Sequence, residues 1–74
     1  MIPPRWPMPD GTPVSCRDKL KTLEENHAEL HQVMQDAFDD AILMGVDETA
    51  MRDILLALVG QLQSPKRQRS KPQP

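Results

Sequence analysis

One glutamate and two histidines stand at spacings that metal-binding helices use. Glu24 and His27 are three residues apart, and His27 and His31 are four apart, so each pair would share one face of a helix. A metal ion needs three or four converging ligands, and a dimer would double what one chain supplies. Carboxylates from a second helix are also needed, but the chain has no acid after Asp53. Glu24, His27 and His31 are therefore weak metal candidates, and we expect no metal and no other cofactor.

The chain has one cysteine, Cys16, which excludes a disulfide within the chain. Cys16 lies beside Arg17 and near Lys19, and both cations and a helix N-terminus favour the thiolate. A nucleophilic cysteine also needs a base, yet the nearest histidine is about three helical turns away along the chain. We therefore predict no catalytic residue and no enzyme activity, and the reactivity of Cys16 stays open.

The composition suits a small helical protein with a thin core. The 74 residues include one Trp, one Phe and no Tyr, with five Met among the apolar residues. A chain of this length buries only about 60% of its unfolded surface. No segment approaches the roughly 20 apolar residues that a membrane span needs, and the N-terminus lacks the apolar run of a secretory signal. We expect a cytoplasmic protein without membrane contact.

Residues 1–14 contain five prolines, which fix φ and remove amide donors, so this segment is predicted to be an extended or turned arm. Pro9, Asp10 and Gly11 are typical of a tight turn. Trp6 stands between prolines and is costly to leave in water. Two interpretations stay open: the arm is disordered, or Trp6 is an anchor that lies on the helices of its own chain or on a partner.

Apolar residues recur at alternating steps of four and three, which predicts one long helix over residues 16–44 with Ser15 as its N-cap. The spacing is the a/d ladder of a coiled coil, interrupted only at His27. Phe38 and Ile42 widen the apolar stripe toward the C-terminal half, as expected where a second helix packs on it. The ladder consists of Cys16, Leu20, Leu23, His27, Leu30, Met34, Ala37, Ala41 and Met44.

A shorter second helix is predicted over residues 48–63. Gly45 is placed to end the first helix and Asp47 to cap the second. Residues 64–74 are polar, basic and proline-bearing, so they are predicted to be a disordered tail. The core of the hairpin is expected to contain residues from both helices: Phe38, Ile42, Met51, Leu55 and Leu58.

The two predicted helices differ in length, about 43 Å against about 24 Å at the usual rise per residue. The short link makes them antiparallel, so the second helix can cover only the C-terminal half of the first. The N-terminal half is left for the proline-rich arm or for another chain. We favour another chain, in a homodimeric four-helix bundle, because isolated two-helix hairpins bury little surface. The predicted interaction residues are Trp6, Leu20, Leu23, His27, Leu30 and Met34.

Charge is distributed unevenly along the chain. Residues 16–63 carry ten acidic and four basic residues, a net charge of −6, whereas residues 64–74 carry four basic residues and no acid. Residues 41–55 resemble the helix-turn-helix pattern, with small Ala41, then Gly45 four residues later and apolar Met51 six after that. The resemblance implies a nucleic-acid reader, but its second helix would present three acids and one arginine to phosphate groups. Nucleic acid is therefore disfavoured as a partner.

The sequence as a whole predicts an all-α protein with an arm (1–14), a helical hairpin domain (15–63) and a tail (64–74). Its leading function is that of a small non-enzymatic helical interaction protein, which self-associates or serves as an accessory subunit of a larger complex. Two alternatives stay open: a helix-turn-helix-like nucleic-acid-binding regulator, and a metal-binding helical bundle.

Overall fold

The computed structural model describes residues 5–65 and contains two helices in that range. Helix α1 runs over Arg17–Leu43 and helix α2 over Glu48–Gly60, and the described residues contain no strand. This confirms the predicted all-α helical hairpin. The chain divides into two compact units between Gln35 and Asp36.

Helix α1 begins one residue later than predicted. Its first residue is Arg17, and the N–H of Leu20 donates to the Cys16 carbonyl at 2.9 Å. Cys16 therefore occupies the cap position, so the prediction of Ser15 as the N-cap is wrong. The Cys16 sulfur accepts hydrogen bonds from the backbone N–H groups of Lys19 and Asp18, which is the role that a cap side chain performs at a helix start.

Helix α1 ends on Gly45 by a Schellman motif. The N–H of Val46 donates to the Ala41 carbonyl at 2.9 Å, and the N–H of Gly45 donates to the Ile42 carbonyl at 3.0 Å. These two bonds satisfy carbonyls that have no partner inside the helix. Gly45 has a φ of 101°, a left-handed conformation that L side chains rarely adopt. The predicted helix end at this glycine is confirmed.

Helix α2 is capped by Asp47, as predicted. The Asp47 carboxylate accepts a hydrogen bond from the Ala50 N–H at 3.0 Å, the bond expected of an N-cap aspartate. The C-terminal end lies earlier than the predicted residue 63. The N–H of Gln61 donates to the Leu58 carbonyl, and this tighter turn closes the helix after Gly60, a residue of low helix propensity.

The second unit packs the last turns of α1 against the first part of α2. Its half-buried residues are the predicted Phe38, Ile42, Met51 and Leu55, together with Ala41. The Arg52 guanidinium lies over the Phe38 ring at 4.8 Å, a cation–π contact that joins the two helices. Leu58 is 53% exposed, so its assignment to the core is wrong. No residue within 5–65 is fully buried.

Substitution by alanine is expected to have opposite effects on stability at two glycines of this unit. A Cβ added at Gly45 or at Gly60 meets nothing within 4 Å, so only backbone conformation distinguishes them. Gly45→Ala forces alanine to a positive φ and is expected to lower the free energy of unfolding by about 1–2 kcal/mol. Gly60→Ala, at a helical position, is expected to raise it by up to about 1 kcal/mol. Urea denaturation followed by circular dichroism measures both, and a shift of the same sign in the two variants would contradict the assigned turn.

Candidate interaction surface

The described part of the N-terminal segment folds back on itself. The N–H of Gly11 donates to the Met8 carbonyl at 2.8 Å, the N–H of Met8 donates to the Thr12 carbonyl at 2.7 Å, and the N–H of Val14 donates to the Trp6 carbonyl at 2.8 Å. Gly11 has a φ of 90°, as required of the last residue of a three-residue hairpin loop. The tight turn predicted at residues 9–11 is therefore present, and residues 5–14 are turned rather than extended.

The side chain of Asp10 stabilises this turn. Its carboxylate accepts hydrogen bonds from the Thr12 hydroxyl at 2.7 Å and from the Thr12 N–H at 3.0 Å. The hydroxyl bond, followed by the backbone bond, holds the pKa of Asp10 below its ordinary value. The turn is thus closed by side-chain as well as backbone hydrogen bonds, in the manner of an Asx turn.

The turn places Trp6 against the first helix. The Trp6 ring meets the His27 ring edge to face, with centroids 5.9 Å apart and planes at 80°, a favoured aromatic geometry. Trp6 is half-buried. Of the two positions predicted for the Trp6 anchor, the structure shows the one on the helix of its own chain.

Two further predicted interaction residues are partly covered within this unit. Leu20 and Leu23 are half-buried, as is Val14, and Val14 and Leu23 line one shallow cleft. The N-terminal half of the ladder, for which another chain is predicted in preference to the arm, thus carries the described part of the arm. Residues 1–4 of the predicted arm lie outside the described residues.

Further along α1, the ladder is open to solvent. His27, Leu30, His31 and Met34 line an open hollow, and the side chains of Leu30, Val33 and Met34 are between 36% and 65% exposed. Both histidines of the predicted metal candidates face this hollow, whereas Glu24 is not among its lining residues. Within residues 5–65, no group of three or more possible ligands converges on one point.

Helix α2 exposes apolar residues over most of its C-terminal half. Residues 54–60 contain no polar side chain, and seven residues pass almost twice around a helix. Every side of this stretch is therefore apolar, although α1 can cover only one side. The predicted hairpin core uses only one face of α2, whereas the absence of any polar side chain over residues 54–60 indicates that its other faces also need cover. From residue 54 onward, the large apolar residues between 52% and 78% exposed are Ile54, Leu56, Leu58, Val59 and, just beyond α2, Leu62.

The first turns of α2 suit nucleic acid poorly. Glu48 and Asp53 are exposed there, and they would repel phosphate groups. Arg52, the one basic residue of α2, lies over Phe38. The predicted basic tail falls outside the described residues except for Ser64 and Pro65. Neither described helix combines the length and the apolar character that crossing a membrane demands.

Comparison of the chain with protein-family models, curated proteins and solved structures finds no match.

The contact between Trp6 and His27 predicts a change in tryptophan fluorescence. His27→Ala removes the ring that covers one side of Trp6, so the emission maximum is expected to move to longer wavelength as the indole gains water. His31→Ala is the matched control, because His31 lines the open hollow one turn further along. Equal shifts in the two variants, or no shift in either, would contradict the docking of Trp6 on His27.

The cap position of Cys16 predicts its titration. Hydrogen bonds from the Lys19 and Asp18 N–H groups lower the pKa of the exposed Cys16 thiol. The folded state therefore stabilises the thiolate form of Cys16 more than the unfolded chain does. This contribution to stability is present above the pKa that Cys16 has in the unfolded chain, and it is lost as the pH falls through its pKa in the folded state. Alkylation by iodoacetamide is expected to reach half its maximal rate at a lower pH in the folded protein than in urea. Coincident profiles would exclude the cap.

Proposed function

We propose that this protein is a small non-enzymatic helical interaction protein that assembles through exposed apolar surface. Self-association is the form we favour, and service as an accessory subunit of a larger complex is the other. The observation that carries the proposal is the lack of any fully buried residue within 5–65, beside many large apolar side chains at the surface. Burial of such side chains is the main favourable term in folding and association.

The free energy that burial of the exposed apolar side chains would release supports assembly. Burying a Leu, Ile, Val or Met side chain is worth about 1.5–3 kcal/mol when it starts fully exposed. The five large apolar residues exposed at positions 54–62, in α2 and just beyond it, amount to the equivalent of about three such side chains, because each is 52% or more exposed. A partner that covered part of this surface on both chains would recover energy comparable with the cost of association, about 4–15 kcal/mol.

The ladder of α1 remains part of the proposed surface. Leu30 and Met34 are open to a partner, whereas Leu20 and Leu23 are partly covered and His27 carries Trp6. A partner that used the whole ladder would have to displace Trp6 from His27. A partner that used Leu30 and Met34 alone would leave the N-terminal turn in place.

The proposal is tested by the molar mass in solution. Multi-angle light scattering after size-exclusion chromatography, from about 10 µM to about 1 mM, spans the weak end of specific association. We expect the mass to rise with concentration from the chain mass of 8.4 kDa toward twice that value. A constant chain mass at every concentration, in a protein that still unfolds cooperatively, would contradict self-association.

A further inference from the structure

Three side chains that can bind a metal ion line the open hollow of α1. They are His27, His31 and Met34, and the fourth lining residue is Leu30. Steps of four and three residues place the three on one face of the helix, over about two turns. Histidine, cysteine and carboxylate side chains form no group of three within residues 5–65, but the methionine thioether is also a metal ligand. The hollow therefore offers two imidazoles and one sulfur.

The three side chains can be reached by an ion from solvent. Both histidines are exposed, and Met34 is 36% exposed. Imidazoles four residues apart are the pair that zinc enzymes place on one helix face to hold their ion. A helical side chain leans toward the N-terminus of its helix, so Met34 leans toward the turn that carries His31. Once one of these groups has bound an ion, the others bind it intramolecularly, which raises the affinity.

The surroundings of the hollow favour a cation. No lysine or arginine is among its lining residues, and residues 16–63 carry ten acidic against four basic residues, which attracts positive ions. The Trp6 ring packs edge to face with the His27 ring, with centroids 5.9 Å apart. This contact restricts the rotation of one imidazole, as the neighbours of metal-bound histidines do. Leu30 adds an apolar wall, which limits the access of water to a bound ion.

We propose that His27, His31 and Met34 bind one Cu⁺ ion per chain. Thioether sulfur selects soft ions such as Cu⁺ and imidazole also suits copper, whereas carboxylates suit harder ions such as Mg²⁺. Cu⁺ accepts low coordination numbers, so the carboxylates of a second helix are not needed. Glu24 is not a ligand, because it does not line the hollow. The three ligands lie within one compact unit of one chain, so the site does not depend on self-association.

Competition with bicinchoninate, a colorimetric Cu⁺ chelator, measures the affinity in the absence of oxygen, with ascorbate as the reductant. Every chain carries Cys16→Ser, which removes the exposed thiol and keeps a preferred helix cap. Met34→Leu is expected to weaken binding about tenfold or more, because it removes the sulfur and keeps the apolar volume. Met44→Leu is the matched control and is expected to leave the affinity unchanged, since Met44 is 82% exposed outside the hollow. Equal weakening by both variants, or by neither, would overturn the sulfur ligand.

Moving one histidine tests the imidazole pair. His31→Gln combined with Gln32→His keeps two histidines in the chain but turns one imidazole about 100° around the helix. Binding is expected to weaken about tenfold or more, because the two imidazoles no longer share a face. Glu24→Gln is expected to leave the affinity unchanged. A moved histidine that binds Cu⁺ as tightly as the original, or a loss of affinity with Glu24→Gln, would overturn the assigned ligands.

X-ray absorption at the copper edge tests the ligands without relying on the folding of a variant. The Cys16→Ser chain loaded with Cu⁺ is expected to show nitrogen scatterers together with one sulfur scatterer. The sulfur scatterer is expected to disappear in Met34→Leu and to persist in Met44→Leu. A spectrum with nitrogen scatterers alone in the Cys16→Ser chain, or sulfur that persists in Met34→Leu, would overturn the proposed site.

Discussion

The chain reversal at residues 44–47 is the constraint on which the helical hairpin depends. Gly45 takes a positive φ and closes α1, and two residues later Asp47 caps α2. These two devices fix where one helix ends and the next begins, which leaves little freedom in the register between them. The register brings Phe38 beneath Arg52 and half-buries Met51 and Leu55. It also determines which sides of α2 remain exposed.

Local signals were predictable because they depend on a few neighbouring residues. Gly45 and Asp47 each act through bonds to residues within one turn, so the sequence alone identifies both. The prediction of Ser15 as the N-cap is wrong because the neighbouring Cys16 offers a sulfur acceptor one residue later. The capping preference of a residue type does not decide between adjacent positions at a helix end. The assignment of Leu58 to the core is wrong because helical periodicity identifies only the apolar face of a helix. Burial of that face depends on how far the other helix extends over it.

The N-terminal segment shows the same division between local and tertiary information. Composition predicted the turn at residues 9–11, since proline and glycine restrict the backbone there. It did not decide between the helix and a partner as the surface on which Trp6 rests. That choice depends on a ring contact with His27, twenty-one residues away in the sequence. The exposed apolar stretch at residues 54–60 could be predicted from the sequence, because a helix that is apolar on every side must be covered on more than one side.

Under the proposed function, the exposed apolar surface is completed by assembly. A partner that binds the folded chain stabilises it by mass action, so the unfolding temperature of a self-associating protein depends on its concentration. The most direct measurement is the thermal midpoint, followed by circular dichroism at 222 nm, a standard helix signal, over about a hundredfold range of protein concentration. For a self-associating chain we expect a midpoint that rises steadily with concentration. A midpoint that stays constant over this range would show that the single chain is sufficient for its own stability, and would contradict the claim.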